Sequence, residues 1–399
     1  MFLLVAYILV PFVAALLASI WVFPKVLKIA FDKNIVDNPD ARKLQRVPVP
    51  VLGGMAVVFG ILVALSVSQL FVDCSSLFTI VLAMVIMLFI GTMDDILDIP
   101  STTRFMLEIL VALMILYTCD YSLDNLHGLW GVHELSPWVS LPLTVVTVVG
   151  IINAINLIDG VDGYSSGYCM MACSIFGVFF YIVGDMPMTL LAVACVAALI
   201  PFFLHNVFGL TSKMFIGDGG TLLMGCVMSV FVLNILKTST ACVEYSGWGM
   251  GLVPLSLAVL CIPVFDTVRV MVMRILRGTS PFHADKTHLH HLFIEMGFSH
   301  IGTTISILFL NLSVIFGWYI SYKCGASAAT QLYIVIALSL LVTVGFYYGL
   351  RFCGKHGWAP YRFMQCLGKN THVGRRGFFL WLQHLVDRDF DAQDINEQK

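Results

Sequence analysis

Charge is what this sequence has least of. Only 12% of its 399 residues are Asp, Glu, Lys or Arg, while 59% are hydrophobic and the mean hydropathy is +0.92. A soluble chain of this length divides into about two or three domains and shows far more surface charge, so a soluble globular class is excluded. No CxxC pair and no HExxH pattern occurs, which removes thiol redox chemistry and a zinc-protease helix. The eleven cysteines lie mostly in apolar segments, as at Cys169, Cys173, Cys195, Cys226 and Cys261, and read as small buried side chains. No internal repeat is evident, and the only low-complexity stretch is the polar tail. The first apolar run, FLLVAYILVPFVAALLASIWVF, has no basic region ahead of it and is too long for the core of a signal peptide. The net charge of −2 says nothing about partners, and no nucleic-acid partner is expected.

What the chain has instead is apolar segments of a length that crosses a bilayer, about 20 residues at 1.5 Å rise. Eleven are expected, near 2–23, 51–72, 77–92, 105–119, 138–153, 165–184, 189–204, 221–236, 250–268, 301–320 and 331–349. The alternate loops 24–50, 93–104, 154–164, 205–220 and 269–300, with the tail from 350, hold 20 of the 22 Lys and Arg residues; the opposite loops hold 2. The positive-inside bias then predicts a periplasmic N-terminus and a cytoplasmic C-terminus. The expected fold is an all-α polytopic integral membrane protein, with a membrane domain over 1–349 and a cytoplasmic tail over 350–399.

On this topology the acidic and polar clusters all fall on the cytoplasmic face, which suits an enzyme with one water-soluble and one lipid substrate. In MDDILDIP, Asp94 and Asp95 are adjacent and Asp98 lies a helical turn on. Three carboxylates this close raise one another's pKa unless a cation compensates, and at the lip of an apolar span they favour a divalent metal site or a general base over a solvated helix end. NAINLIDGVDG sets Asn153 and Asn156 one turn apart, followed by Asp159 and Asp162 between glycines. Amide and carboxylate oxygens suit Mg²⁺ or Mn²⁺, and an ordinary helix end is the alternative. FIGDGG carries Asp218; alone this is common turn chemistry. Asp266 and Arg269 read as a local ion pair at the inner end of the ninth span.

The last cluster is FHADKTHLHH, with His283, Asp285, Lys286, His288, His290 and His291. With Arg274 and Arg277 near, it reads as a loop for phosphate oxygens and a sugar, with a structural cap and a metal site as alternatives.

In this order and on this topology, the four clusters resemble the polyprenyl-phosphate N-acetylhexosamine-1-phosphate transferase superfamily, from NPDARKLQRVPVPVLGG to the histidine loop. SPFHADKTHLHHLF is similar to the bacterial branch that makes undecaprenyl-pyrophosphoryl-N-acetylglucosamine; the branch that loads phospho-MurNAc-pentapeptide usually shows a three-histidine run, absent here. Gly220-Thr221 departs from the more usual small residue and serine. The resemblance implies that undecaprenyl phosphate attacks the β-phosphorus of UDP-GlcNAc and releases UMP at a bacterial inner membrane. It implies Asp218 and Asn156 as ligands of Mg²⁺ or Mn²⁺, and Asp94 or Asp95, with Asp159 and Asp162, as catalytic carboxylates. Arg104, Asn153 and the histidine loop are then the substrate grip. Another UDP-amino sugar or phospho-MurNAc-pentapeptide is the alternative donor. A transporter would show polar residues at mid-span or inverted repeats.

Overall fold

The computed structural model describes residues 2–38, 47–280, 286–372 and 377–388. His283 and Asp285 lie outside the described residues. In chain order the elements are α1 (Phe2–Asp32), β1 (Val36–Asp37), β2 (Val49–Pro50), α2 (Gly53–Ser68), α3 (Phe78–Leu97), α4 (Ser101–Thr118), β3 (Asn125–Leu129) and β4 (Val132–Glu134). There follow α5 (Pro137–Leu157), α6 (Tyr164–Val183), α7 (Met186–Phe208), α8 (Gly217–Leu236), α9 (Val243–Gly247), α10 (Leu252–Val259) and α11 (Cys261–Leu276). The last are α12 (Leu289–Glu295), α13 (His300–Lys323), α14 (Ala328–Leu340), α15 (Phe346–Lys355), α16 (Ala359–Asn370) and α17 (Phe378–Asp387).

Every one of the eleven predicted apolar segments is helical. Among the described residues nine helices are long and apolar enough to cross a membrane, or ten if the bent pair α10–α11 is one span. The difference from eleven lies in α2, which has only 16 residues, and in α10–α11, which turns by 74°. The described residues also include two short antiparallel pairs, β1–β2 and β3–β4, outside the expected all-α description. Three helix starts carry a side-chain cap. Asp185 accepts from Met188 N ahead of α7, Ser299 from Gly302 N ahead of α13, and Ser327 from Thr330 N ahead of α14. Seven of the eleven cysteines are buried.

The chain forms two compact units. The first comprises residues 1–115, 169–227 and 373–399. Here α1, α2 and α7 pack on one another, and α17 packs on α7. Gly60 stands at the three-helix contact: a Cβ there would meet Ser19 Oγ, and would lie 3.0 Å from Ala198 Cβ. Small residues let membrane helices approach closely enough for dispersion to hold them.

The second unit comprises residues 116–168 and 228–372. Its notable element is the break between α10 and α11. Pro263 has no N–H to give to the carbonyl four residues back, at Val259, and its ring crowds that carbonyl. Val259 O instead accepts from Tyr168 Oη and from Asn311 Nδ2 at 3.1 Å. Asn311 Oδ1 takes the Ile262 N–H at 3.2 Å, so one buried amide on α13 satisfies both sides of the break. The whole apolar window of α8 is buried inside the protein, whereas only 22% of that of α1 is.

Candidate active site

The first unit gathers four elements around Asp218. Residues 50–54 run beside residues 215–216: Phe215 N donates to Pro50 O at 2.7 Å, Gly53 N to Phe215 O at 3.0 Å and Gly54 N to Ile216 O at 2.8 Å. The chain then turns at Gly217, whose φ of +71° favours glycine, and whose missing Cβ leaves room for Val51 O and for the carboxylate of Asp95. α8 starts there, with Asp218 in its first turn. Gly91 on α3 completes the close approach, since a Cβ on it would strike the Asp218 carbonyl.

α3 delivers Asp94 and Asp95 in its last turn. Asp98 ends the helix in the left-handed conformation, φ 50° and ψ 61°, with its N–H on Asp94 O, and Pro100 follows. Asp98 is exposed. Asp95 takes the N–H of Asp218 at 3.0 Å on one oxygen and the N–H of Gly219 at 3.3 Å on the other. It therefore caps α8 from a different helix, where the free amides and the helix dipole favour an anion.

Asp94 faces Arg104, in the first turn of α4. The Arg104 Nη1 donates to Asp94 Oδ2 at 2.8 Å and to Asp218 Oδ2 at 3.2 Å, and Nε lies 3.6 Å from Glu108 Oε1. The guanidinium thus holds two acidic side chains contributed by different helices, with Glu108 fully buried behind it. The Asp218 side chain keeps 35% exposure. Thr221 Oγ1 is bound to the carbonyls of Gly217 and Asp218, so at this departure from the family pattern the hydroxyl serves the helix start.

The second unit carries the other predicted residues. Asn153 donates to Val149 O one turn back on α5, at 2.9 Å. Asn156 is half-buried near the helix end, and its carbonyl accepts the Asp159 N–H. Asp159 is exposed, with Ser165 Oγ on its carboxylate. Asp162 is held by His300 Nδ1 at 2.6 Å.

Asp266 organises the histidine segment. Its Oδ1 accepts from Arg269 Nη2 at 2.7 Å; its Oδ2 meets His288 Nδ1 at 2.9 Å and the Leu289 N–H at 3.1 Å. Arg269 also donates to Thr287 O at 2.6 Å and lies over the Tyr347 ring at 3.9 Å. His288 therefore opens α12 as part of a structural network. His290 is buried between His288, His291 and Tyr164. It presses on Gly160, where a Cβ would collide with its ring. Burial, with His291 and His288 adding to it, holds its pKa well below the usual histidine range, so it stays neutral. His291 and Thr287 are half-buried and Lys286 is exposed.

Asp218 belongs to the first unit and Asn156 to the second, so the two predicted metal ligands are described separately. Among the described residues no three His, Cys, Asp or Glu side chains gather into a metal site by themselves. Mg²⁺ is commonly held by one or two carboxylates and completed by substrate phosphates, and the hard oxygens of part-exposed Asp218 fit that pattern. Sequence reasoning passed over Glu108, His300 and the Gly53-Gly54 approach. Asp266 was seen only as the partner of Arg269. Glu108 was within reach as the i,i+4 neighbour of Arg104, whereas nothing local to Asp266, His300 or Gly53-Gly54 signals partners 22, 138 and more than 160 positions away.

Residues 77–236 match the model of glycosyl transferase family 4, a segment running from α3 to the end of α8. Over 370 residues the chain is 27% identical to the undecaprenyl-phosphate alpha-N-acetylglucosaminyl 1-phosphate transferase of Salmonella typhi, covering 90% of this chain and 96% of that one. It is 26% identical to the enzyme of the same name from Escherichia coli K12, covering 88% and 92%. It is 29% identical over 305 residues to the "probable undecaprenyl-phosphate N-acetylglucosaminyl 1-phosphate transferase" of Bacillus subtilis strain 168, covering 76% and 82%. The apolar helices and these similarities together define a multi-pass membrane transferase. Over residues 77–236 the chain is similar to glycosyl transferase family 4.

Proposed function

We propose that this protein transfers N-acetylglucosamine-1-phosphate from UDP-GlcNAc to undecaprenyl phosphate, as the first membrane step of O-antigen, enterobacterial-common-antigen or another envelope polysaccharide. The observation that carries the reading is the Asp94–Arg104–Asp218 constellation at the ends of apolar helices, in a chain similar to transferases of that name along most of its length. In the reaction a phosphate oxygen of the lipid bonds to the β-phosphorus of the donor. The bond from that phosphorus to the bridging oxygen breaks, and UMP leaves with that oxygen.

Phosphoryl transfer depends chiefly on positioning and on neutralising charge. Asp95 fixes the start of α8 and so aims Asp218. Arg104 offers a planar cation whose further N–H groups suit phosphate oxygens. Asp94, held in place by that arginine, is assigned to orient the lipid phosphate and to take its proton if it arrives protonated. Mg²⁺ or Mn²⁺, when held by Asp218, would offset the charge on the donor pyrophosphate. Lys286 and His291 are assigned to donor anions. The inner membrane is the proposed location, with the reacting groups on its cytoplasmic side.

The test is UMP release by purified protein given undecaprenyl phosphate, Mg²⁺ and a panel of UDP-sugars. Release with UDP-GlcNAc and none with UDP-MurNAc-pentapeptide is expected. A better rate with the pentapeptide nucleotide would move the chain to the other branch, and no release with any donor would remove the reading.

A further inference from the structure

The tail helix α17 does more than rest on α7. Its last residue, Asp387, reaches into the loop between α7 and α8 and accepts four hydrogen bonds there. These come from Leu210 N at 3.0 and 3.2 Å to its two oxygens, from Ser212 N at 3.0 Å, and from Ser212 Oγ at 2.7 Å. Ser212 is fully buried and its hydroxyl also meets His205 Nδ1 at 2.8 Å; the His205 ring stacks on Phe23 of α1 at 4.0 Å. Phe379 of α17 packs against Phe208, at the end of α7. Two residues after Ser212, the carbonyl of Met214 is held by Asn206, and Phe215 and Ile216 pair with residues 50–54. The next two residues are Gly217 and Asp218.

We propose that Asp387 is a positioning residue for Asp218, with α17 acting as a latch on the 209–216 loop. The inference rests on the transferase reading for its kinetic consequence, but not for its structural one. A carboxylate is the one side chain that satisfies several adjacent donors with two oxygens while carrying no donor of its own. With the latch gone, the start of that loop loses its described hydrogen bonds to the tail, and Asp218 keeps only Asp95, Arg104 and the pairing of 215–216 with residues 50–54. A displacement on the order of 1 Å costs about 100-fold in a well-aligned site.

The experiment uses the full-length protein in detergent, comparing the parent with D387N, D387A and D387E. Hydrogen exchange is followed in peptides covering 205–222, and UMP release with UDP-GlcNAc is measured beside the melting midpoint. For D387N and D387A, exchange at 209–213 rises and spreads to 217–219, kcat falls at least about tenfold, and the midpoint stays near that of the parent. D387E, which keeps the carboxylate, recovers part of both losses. Exchange unchanged at 217–219 overturns the proposal, as does a kcat loss that merely follows the midpoint. If the parent releases no UMP, the transferase reading fails while the exchange data still decide the latch.

Discussion

Asp94 and Asp95 are neighbours in the chain, yet successive residues on a helix point about 100° apart, and that angle separates their work. Asp95 turns to the amides of α8, and Asp94 to Arg104. Asp218→Asn is expected to lose most turnover and to weaken Mg²⁺-dependent binding of UDP-GlcNAc. Asp94→Asn is expected to lose about 10²–10⁴-fold in turnover, the usual cost of a missing base or orienting group, while binding the nucleotide nearly as the parent does. Turnover beside calorimetry on the detergent-solubilised protein separates them, and the reverse pattern would exchange the two roles. His290 gives a second residue-scale prediction. Held neutral by burial, it binds no proton where an unfolded histidine does, below about pH 6.5. Its contribution to stability is therefore intact above that pH and shrinks as the pH falls through it. The melting midpoint of the parent should drop between pH 7.5 and 5.5 by more than that of His290→Gln; equal drops would show that the imidazole is not responsible. That the loop HLHH holds buried members was not legible in advance, because one ten-residue stretch does not show which imidazoles have a carboxylate such as Asp266 waiting 22 positions away.

At the scale of elements, the apolar segments were legible because each had to be long and uncharged enough to enter a bilayer. The breaks within them were not. Pro263 stood in plain sight in IPVFDTVRV, but a proline kinks, bends or ends a helix according to who takes the freed carbonyl, and Asn311 and Tyr168 come from other helices. Asn311→Leu should destabilise the protein by about 1–3 kcal/mol, the cost of leaving buried backbone groups unpaired. Tyr168→Phe should cost less, since Asn311 still serves Val259. Thermal unfolding in a single detergent checks both, and a leucine variant as stable as the parent would show that the break needs no such support. The two-glycine approach at Gly53-Gly54 was likewise quoted in the sequence but not read. Its meaning depends on residues 215–216, more than 160 positions later.

For the whole molecule, the cation bias predicts sidedness. After Cys119, Cys324, Cys353 and Cys366 are replaced by serine, the seven remaining cysteines are buried and a single new thiol can report. A cysteine at position 287 should react with a membrane-impermeant reagent only from the cytoplasm, and one at position 128, in the β3–β4 hairpin, only from outside. Labelling of both from one side would overturn the predicted orientation. The burial of α8 has a consequence for how the chain is made. A helix whose apolar window is wholly buried in the finished protein has no use there for a uniformly greasy surface; packing alone would accept more polar positions. Yet α8 is as apolar as α1 and α5, which are far less buried. Synthesis runs from the N-terminus, so α8 leaves the ribosome before any helix from α9 onward exists. Its composition records that interval. The segment must first enter the bilayer on its own merits, and the price of admission is written in residues that the finished fold buries.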